Sequence, residues 1–487
     1  MIASLLGRSP KMFDLTLGQI AEIVGGKLVG DASIRVSEVS IDSRSARPGD
    51  LFAAIVGERV DGHDFTEQAS SNGARGFLTS REVPGNFVLV PQSSDNLDPV
   101  ISALAKLSTH VRLLMRSVEV IGITGSSGKT STKDMIGQVL AHAGVTHAPA
   151  GSQNNELGLP LTLLSAPSDV KYLVAEMGMR GLGHIEYLCK LAFPTIGVIT
   201  NVGRAHIGEV GSIEGIAKAK SELVSAIPSS GVVVLNADDK RVIAMRNLTQ
   251  ATVFTYGFSK DADVRAENLQ LTSYGSYNFD LVYRGERVSA SIPMLGEHNV
   301  LNSLSAAAVG IAVGMEMVDI SRALTTLKQM SKWRMEVHQV PGNVTIINDA
   351  YNANPESMTA ALETLRSIPA IGHRFAVLGK MHELGHTSDE IHAQMADLAI
   401  KLGVNYIIAV GEAAKSYGLP DQAFNPESDP EMTQKSVWLP DFDTACDYIE
   451  KQVNSGDILL FKASRAEKFE VLAEQIETIL RAKWGQQ

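Results

Sequence analysis

The sequence predicts an α/β protein of three domains: a small α/β domain over residues 1–112, a central domain of mostly parallel sheet with an antiparallel insert over 113–330, and a third α/β domain over 331–487. Three observations lead there. A chain of 487 residues is too long for a single ordinary hydrophobic core. From Val118 onward, and again from Ser331, short apolar runs alternate with amphipathic segments, the pattern of parallel strands joined by crossover helices. One stretch, 277–292, alternates apolar and polar residues around Arg284-Gly285-Glu286, as an antiparallel hairpin does.

In the first domain, residues 17–24 carry helical spacing and meet a breaker at Gly25-Gly26. Ile41-Asp42-Ser43-Arg44 leads into the turn signal Arg47-Pro48-Gly49-Asp50. Residues 51–56 read as a buried strand and Asp61-Gly62-His63-Asp64 as a polar loop. A helix over 99–114 links to the central domain, whose strands are expected at 118–123, 172–175, 195–200 and 232–235. An Ala-rich helix over 300–313 closes that unit. The third domain has expected strands at 344–347, 375–378, 406–410 and 458–461, with helices at 355–367 and 392–402 between them. Pro355 suits a first helical turn, where its missing N–H costs nothing. Residues 420–434 are polar and read as a surface loop.

Bulk composition narrows the function classes. The formal net charge of -11 argues against a general grip on nucleic acid, which needs a basic face, yet leaves room for a small anionic substrate in a local cleft. Two cysteines, Cys189 and Cys446, far apart in sequence, give no disulfide framework and no metal-spaced cluster, which fits a reducing cytoplasm. No apolar run approaches the about 20 residues of a membrane span. The first eleven residues carry only a short apolar patch with no convincing cleavage site, and Met12 is an alternative start to Met1.

The segment with the most chemistry is Val120-Ile121-Gly122-Ile123-Thr124-Gly125-Ser126-Ser127-Gly128-Lys129-Thr130. An apolar strand enters a Gly/Ser loop and a helix leaves it. Glycines let backbone N–H groups turn around phosphate oxygens, and the helix N-terminus adds partial positive charge. Lys129 is placed for the β- and γ-phosphates of ATP, and the Thr130 hydroxyl for Mg²⁺. The general pattern G-x-x-x-x-G-K-[ST] would put glycine at position 123, where this chain has Ile123.

Three further residues stand out. Glu176 ends a strand beside the loop, a suitable place for a Mg²⁺ ligand and equally for a helix-capping carboxylate. His206 follows another strand; a lone histidine is more often structural, but this one shares the sheet edge with Glu176. Lys220 lies in Ile216-Ala217-Lys218-Ala219-Lys220-Ser221-Glu222, which reads as a solvated helix face, and spacing does not separate it from Lys218.

Together these segments resemble the ATP-dependent Mur ligases of peptidoglycan precursor synthesis. The family loop G-x-T-G-x-x-G-K-[ST] is matched by residues 122–130, which accounts for Ile123. Glu176-Met177-Gly178, Asn201-Val202-Gly203 through His206, and Gly296-Glu297-His298-Asn299-Val300-Leu301-Asn302 match as well, and the resemblance runs from about Leu17 to the last helix. Asn348-Asp349-Ala350-Tyr351-Asn352-Ala353-Asn354-Pro355 resembles the segment of the branch that adds D-alanyl-D-alanine (D-Ala-D-Ala) to UDP-N-acetylmuramoyl-tripeptide; the Asp-Asn-Pro-Arg signature of the diaminopimelate- or lysine-adding branch is absent. The resemblance implies a P-loop ATPase-type central sheet, a UDP-sugar-binding first domain and a Rossmann-like C-terminal domain that takes the dipeptide.

It also implies roles. Gly125, Ser126, Ser127, Gly128, Lys129 and Thr130 hold the ATP phosphates, with Asn299 and Asn302 on the adenine side and Arg334 and Asp349 reaching the γ-phosphate and ribose. Thr130, Glu176, His206 and Lys220, the last carbamylated by CO₂, hold two Mg²⁺ ions; Lys129, Lys220, His206 and Glu176 form the catalytic set. Ser43, Arg44, Asn154, Asn352, Asn354, Ser464 and Arg465 bind substrate. The chain departs from the family at Trp333, where glycine is usual, at Lys380 and His382, and at Ala463. The expected reaction is acyl-phosphate formation from the tripeptide carboxylate followed by attack of the dipeptide amine, in a monomeric cytoplasmic enzyme. The alternatives are another amino-acid ligase of the family and a non-catalytic ATP-binding regulator.

Overall fold

The computed structural model describes residues 11–93, 97–205, 207–273, 275–419 and 435–485. Residues 1–10 and 420–434, which include Met1 and the expected polar surface loop, lie outside them, whereas Met12 is among those described.

Three larger sheets follow one another along the chain. The first has five strands in the order Lys27–Val29, Phe87–Leu89, Gly76–Thr79, Asp50–Ala53, Glu38–Ser40, all parallel except the first pair. The helix Leu17–Val24 packs its buried stripe of Leu17, Ile20, Ala21 and Val24 inward and stops at Gly25. The strand expected over 51–56 is shorter because the chain leaves the ladder after Ala53, and Val56 instead bridges Asp61. The expected polar loop at Asp61–Asp64 is a 3₁₀ turn over Gly62–Phe65 with His63 buried: its ring bonds Asp61 Oδ1 at 2.5 Å and accepts from Ser80 N at 2.9 Å.

The central sheet has nine strands, ordered Glu286–Ile292, Tyr277–Tyr283, Val264–Leu271, Thr252–Gly257, Val232–Asn236, Ile196–Ile199, Glu119–Thr124, Tyr172–Glu176, Thr146–His147. It is parallel from Thr146–His147 through Val264–Leu271 and antiparallel beyond. The predicted hairpin is present, with Arg284 at φ 49° and Gly285 at φ 84°, the left-handed pair that a two-residue turn requires. The Ala-rich helix begins earlier than expected, at Glu297, and runs to Ala312. Its small side chains let it lie close against the phosphate-loop helix Lys129–Ala141.

The third sheet has six strands: Glu336–Val340, Val344–Asn348, Ile458–Lys462, Arg374–Leu378, Tyr406–Val410, Lys435–Leu439, parallel except the first pair. The strands Glu336–Val340, Thr252–Gly257, Val264–Leu271 and Lys435–Leu439 were not expected from the sequence; each carries polar residues that blur an apolar run. In both parallel sheets the strands run toward the site described below and end at Thr124, Glu176 and Ile199 in one and at Asn348, Leu378 and Lys462 in the other; Glu176 and Lys462 line it directly. Both cysteines are buried and free. Among the described residues no helix is long and apolar enough to cross a membrane.

Leu304 is fully buried within the core between the Glu297–Ala312 helix and the central sheet. Leu304→Ala is expected to cost about 2–5 kcal/mol of stability, read as a lower urea midpoint for unfolding of the central unit.

Candidate functional site

The phosphate loop is shaped by close backbone approach. A Cβ on Gly125 would stand 1.8 Å from Thr200 Oγ1, and one on Gly128, itself at φ 78°, would stand 2.8 Å from Asn302 Oδ1. The following segment of the neighbouring strand braces the loop. Ser127 N donates to Asn201 Oδ1 at 2.9 Å, Thr200 Oγ1 to Ser127 O at 2.7 Å, and Gly203 N to Ser126 Oγ at 2.8 Å. Ile123 is no flaw in this arrangement. It is fully buried in the strand, in register with Glu176 and Val198, so the loop proper begins after Thr124.

Glu176 is a site carboxylate and caps no helix. Its Oε2 accepts from Thr130 Oγ1 at 2.8 Å, and its Oε1 accepts from Ser152 Oγ at 2.8 Å and Asn154 Nδ2 at 2.9 Å. The residue is 2 % exposed. Thr130 Oγ1 in turn accepts from Arg334 Nη2 of the C-terminal domain at 2.8 Å. His206 lies outside the described residues. Among those described, no three His, Cys, Asp or Glu side chains converge as a metal cage.

Lys220 corrects one sequence expectation. It is 1 % exposed, whereas Lys218 is exposed, so the two lysines are not equivalent. The signal was available: Lys220 shares a helix stripe with the buried Ile216, Ala219 and Leu223, and Lys218 does not. Burial, reinforced by the Lys129 cation and opposed by Glu356, pushes the Lys220 amine well below the usual lysine range. Lys129 is shifted down as well, chiefly by burial and also by Arg334, against Glu176 and Glu383. Its ammonium donates back to Gly125 O at 2.7 Å.

The C-terminal domain completes the wall. Arg334 stacks on the Tyr351 ring at 4.0 Å, and its Nε is buried without a protein partner. Asp349 accepts from Met335 N at 3.0 Å and from Lys462 Nζ at 2.5 Å, and Lys462 also donates to Asn352 O at 3.1 Å. Asn354 caps the helix Pro355–Ser367 and sends its Nδ2 to Ser126 O at 3.3 Å. Asn299 and Asn302 are buried and bonded to each other at 3.2 Å, lining the same cleft as the neighbouring His298, whose imidazole is pushed down to about 4 by burial, with Lys462 adding to the effect and Asp349 opposing it.

Two cavities meet at this point. One of about 350 Å³ lies between the phosphate loop, Asn302, Arg334, Asp349 and Lys462. The other, of about 590 Å³, runs past Arg180, Tyr187 and Glu383. Lys129 and Asn154 line both.

Gly125 and Lys220 lie behind the lining of both cavities, and four residues expected to bind substrate also line neither. Ser43 is buried on Gln68 Oε1 at 2.6 Å, and Arg44 is paired with Asp42 at 2.7 Å. Ser464 accepts from His382 N at 3.0 Å and donates to Ala353 O at 3.2 Å. Arg465 stacks on Trp333 at 4.3 Å and pairs with Glu470 at 2.6 Å. Two of the departures, Trp333 and His382, make specific contacts. Trp333 and Met335 sit at φ 57° and 55°, the left-handed region that explains a usual glycine at 333; an L-residue there costs about 1–2 kcal/mol, offset by the Arg465 stack and by Trp333 N on Glu336 at 2.9 Å. His382 bonds Glu467 at 2.5 Å, whereas Lys380 meets Ser464 N only through its backbone carbonyl at 3.0 Å, and nothing in the structure explains the lysine side chain there. Ala463 is fully buried.

Sequence reading missed Lys462, Ser152, His298, Tyr351 and Glu356. Lys462 carried a signal, a charge closing the apolar run Ile458–Lys462 at a strand C-terminus, as Glu176 does. Ser152 carried none, because only the folded loop brings it to Glu176.

Residues 35–112 match the Mur ligase family, catalytic domain; 123–310 match the Mur ligase middle domain; and 333–465 match the Mur ligase, glutamate ligase domain. The chain is 38% identical to the UDP-N-acetylmuramoyl-tripeptide–D-alanyl-D-alanine ligase of Mycobacterium tuberculosis, over 96% of this chain and 98% of that protein. It is 35% identical to the enzyme of the same name from Escherichia coli, over 82% of this chain and 87% of that one. Among solved structures, MurF from Acinetobacter baumannii superposes with TM-score 0.83 at 30% identity, covering 96% of this chain and 99% of that chain. MurF ligase from Thermotoga maritima in complex with ADP gives TM-score 0.75 at 28% identity, covering 92% and 99%.

A Cβ on Gly203 would stand 2.3 Å from the Glu356 carboxyl carbon, whose Oε1 accepts Arg204 N at 2.6 Å across the domain boundary. Gly203→Ala is therefore expected to displace the flexible Glu356 carboxylate and break its bond to Arg204 N, read as a loss of about 1–3 kcal/mol in urea unfolding. Glu356→Ala removes the same bond directly, so adding it to Gly203→Ala is expected to cost little more than Glu356→Ala alone.

Proposed function

The chain belongs to the Mur ligase family, and from that premise we propose that it is the ATP-dependent ligase joining D-alanyl-D-alanine to UDP-N-acetylmuramoyl-tripeptide in peptidoglycan precursor synthesis. The observation that carries this reading is the double placement of Lys129, on the wall of the phosphate-loop cleft and of the adjoining cavity at once. A lysine in that position faces the phosphoryl group on its way from nucleotide to acceptor.

ATP fits the first cleft by the criteria of phosphate binding: a glycine-shaped loop that opens a helix N-terminus, and cations at Lys129 and Arg334. The tripeptide lies in the larger cavity with its terminal carboxylate toward Lys129. A carboxylate oxygen attacks the γ-phosphorus and the bond to ADP breaks, leaving an acyl phosphate. The dipeptide amine then adds to the acyl carbon, loses a proton, and expels phosphate as the amide forms. Lys129 and Arg334 stabilise charge on the transferred group, and Asn354 and Glu356 hold the C-terminal domain against the loop, so that water is excluded.

The residues also suit Mg²⁺. Thr130 and Glu176 offer hard oxygen donors, and with His206 and a carbamylated Lys220 they would hold two ions that neutralise phosphate charge. Lys220 suits the modification for a stated reason: burial favours its neutral amine, the form that adds to CO₂, and the resulting anion replaces a cation that would repel a metal. Residues 1–112 would carry the UDP-sugar, 113–330 the ATP and 331–487 the dipeptide, in a monomer working in the cytoplasm. Ser43, Arg44, Ser464 and Arg465 would meet substrate only after rearrangement from the pairings described above.

Phosphate release is expected only with ATP, UDP-N-acetylmuramoyl-tripeptide and D-Ala-D-Ala together. Release with lysine, diaminopimelate or D-Glu in place of the dipeptide would identify a different ligase of the family, and ATP binding without release under any acceptor would mark a regulator. Lys129→Ala is expected to abolish turnover. Lys220→Ala should be nearly inactive and partly rescued by small carboxylates, whereas Lys218→Ala should keep wild-type turnover; the reverse pattern in phosphate-release assays would overturn the carbamate assignment.

A further inference from the structure

Lys133 is completely buried, one turn into the phosphate-loop helix, and the ligase reaction gives it no task. Its ammonium donates to Gly151 O at 2.7 Å and to Pro149 O, and stands 3.0 Å from Asp134 Oδ1. An ammonium has three protons, and three acceptors meet them here. Burying such a group is costly even when it is satisfied, and an apolar side chain would fill the same space at lower cost if packing alone were needed.

What Lys133 grips is the segment between the strand Thr146–His147 and the helix Gly158–Leu164. That segment carries Ser152 and Asn154, the two donors to Glu176 Oε1, and Gly178 N ties back to Asn154 O at 2.7 Å. Glu176 Oε2 faces Thr130, three residues before Lys133 on the same helix. One helix therefore fixes both ends of the carboxylate, directly through Thr130 and around the loop through Lys133. The next residue extends the arrangement. Asp134 Oδ2 accepts from Ser331 Oγ at 2.5 Å, in the linker leading to Arg334, which returns to the Thr130 hydroxyl.

We infer that Lys133 is a positioning residue: by holding the 149–154 segment it sets the orientation in which Glu176 presents its second oxygen to Thr130 and to Mg²⁺. The inference rests on Glu176 being a metal-side group, and it concerns the metal through this chain's own residues. Groups that support a metal ligand from behind typically change metal affinity roughly 10–100-fold when removed.

The test uses the full chain without turnover. Thermal stabilisation by ADP is followed across a Mg²⁺ titration in wild type, Lys133→Met, Lys133→Arg, Ser152→Ala and the double variant Lys133→Met/Ser152→Ala. The expected result is a Mg²⁺ midpoint raised roughly 10-fold or more in Lys133→Met, with stabilisation by ADP in the absence of Mg²⁺ unchanged. Ser152→Ala should raise the midpoint less, Lys133→Arg should lie between Lys133→Met and wild type, and the double variant should go no further than Lys133→Met, because both act through one loop. A folded Lys133→Met with the wild-type midpoint overturns the inference, as does a double variant whose effects multiply. If Lys133→Met does not fold, raised midpoints in Lys133→Arg and Ser152→Ala support it and wild-type midpoints in both overturn it. A wild-type protein with no Mg²⁺ dependence would overturn the metal-side reading of Glu176 and this inference with it.

Discussion

The site is organised around one hydroxyl. Thr130 Oγ1 donates to Glu176 of its own domain and accepts from Arg334 of the next, at 2.8 Å each. A hydroxyl can serve as donor and acceptor at once only if both partners hold their places, so this pair of bonds constrains two domains through a single atom. Glu176 is held by the 152–154 loop, and Arg334 by the Tyr351 ring and a left-handed linker on either side of it. Disturbing either support moves the hydroxyl, and with it the first turn of the phosphate-loop helix.

The parallel sheets explain why these groups meet. In a parallel sheet all strand C-termini lie along one edge, and side chains at that edge are delivered to a common cleft. The central sheet brings Thr124, Glu176 and Thr200 to its edge; the C-terminal sheet brings Asn348 and Lys462 to its own. With the two edges facing each other, Asn354 and Glu356, at the cap and first turn of one helix, reach the backbone of Ser126 and Arg204. These two contacts run from side chain to backbone, beside the side chain to side chain bonds Arg334–Thr130 and Ser331–Asp134, and Gly203, with no Cβ, leaves room for the Glu356 carboxylate.

How legible each group was in the sequence follows from the range of the forces that place it. The phosphate loop, Glu176 and the interior strands were readable because each is a contiguous apolar run ending in a polar group. Lys220 was half readable: the helix was plain, but the stripe of Ile216, Ala219 and Leu223 was needed to see which lysine turned inward. Ser152, Glu356 and Tyr351 were not readable, since their partners stand 24, 152 and 17 residues away and only tertiary packing joins them. Trp333 was readable as an oddity at a glycine position, but its φ of 57° and its stack on Arg465 belong to the folded linker.

A chain of net charge -11 that gathers Lys129, Arg334 and Lys462 around one cleft, with the buried Lys220 amine near Lys129, concentrates its positive charge where polyanions would bind. The cost is visible in the amines. Burial drives Lys129 and Lys220 downward, each repels a neighbouring cation, and Arg334 keeps a buried Nε without a protein partner. Among the three cations, Lys462 has a close carboxylate partner in Asp349. Buried cations left in this state are stabilised by whatever anion next enters, because the interaction is strong in a poorly solvated cleft and the positioning is already complete. The protein alone is thus electrostatically unfinished at the one place where a nucleotide supplies the missing charge. The same feature that weakens the free protein therefore favours the bound one, and the domain contacts at Thr130, Ser126 and Arg204 gain their full value only when that charge is present.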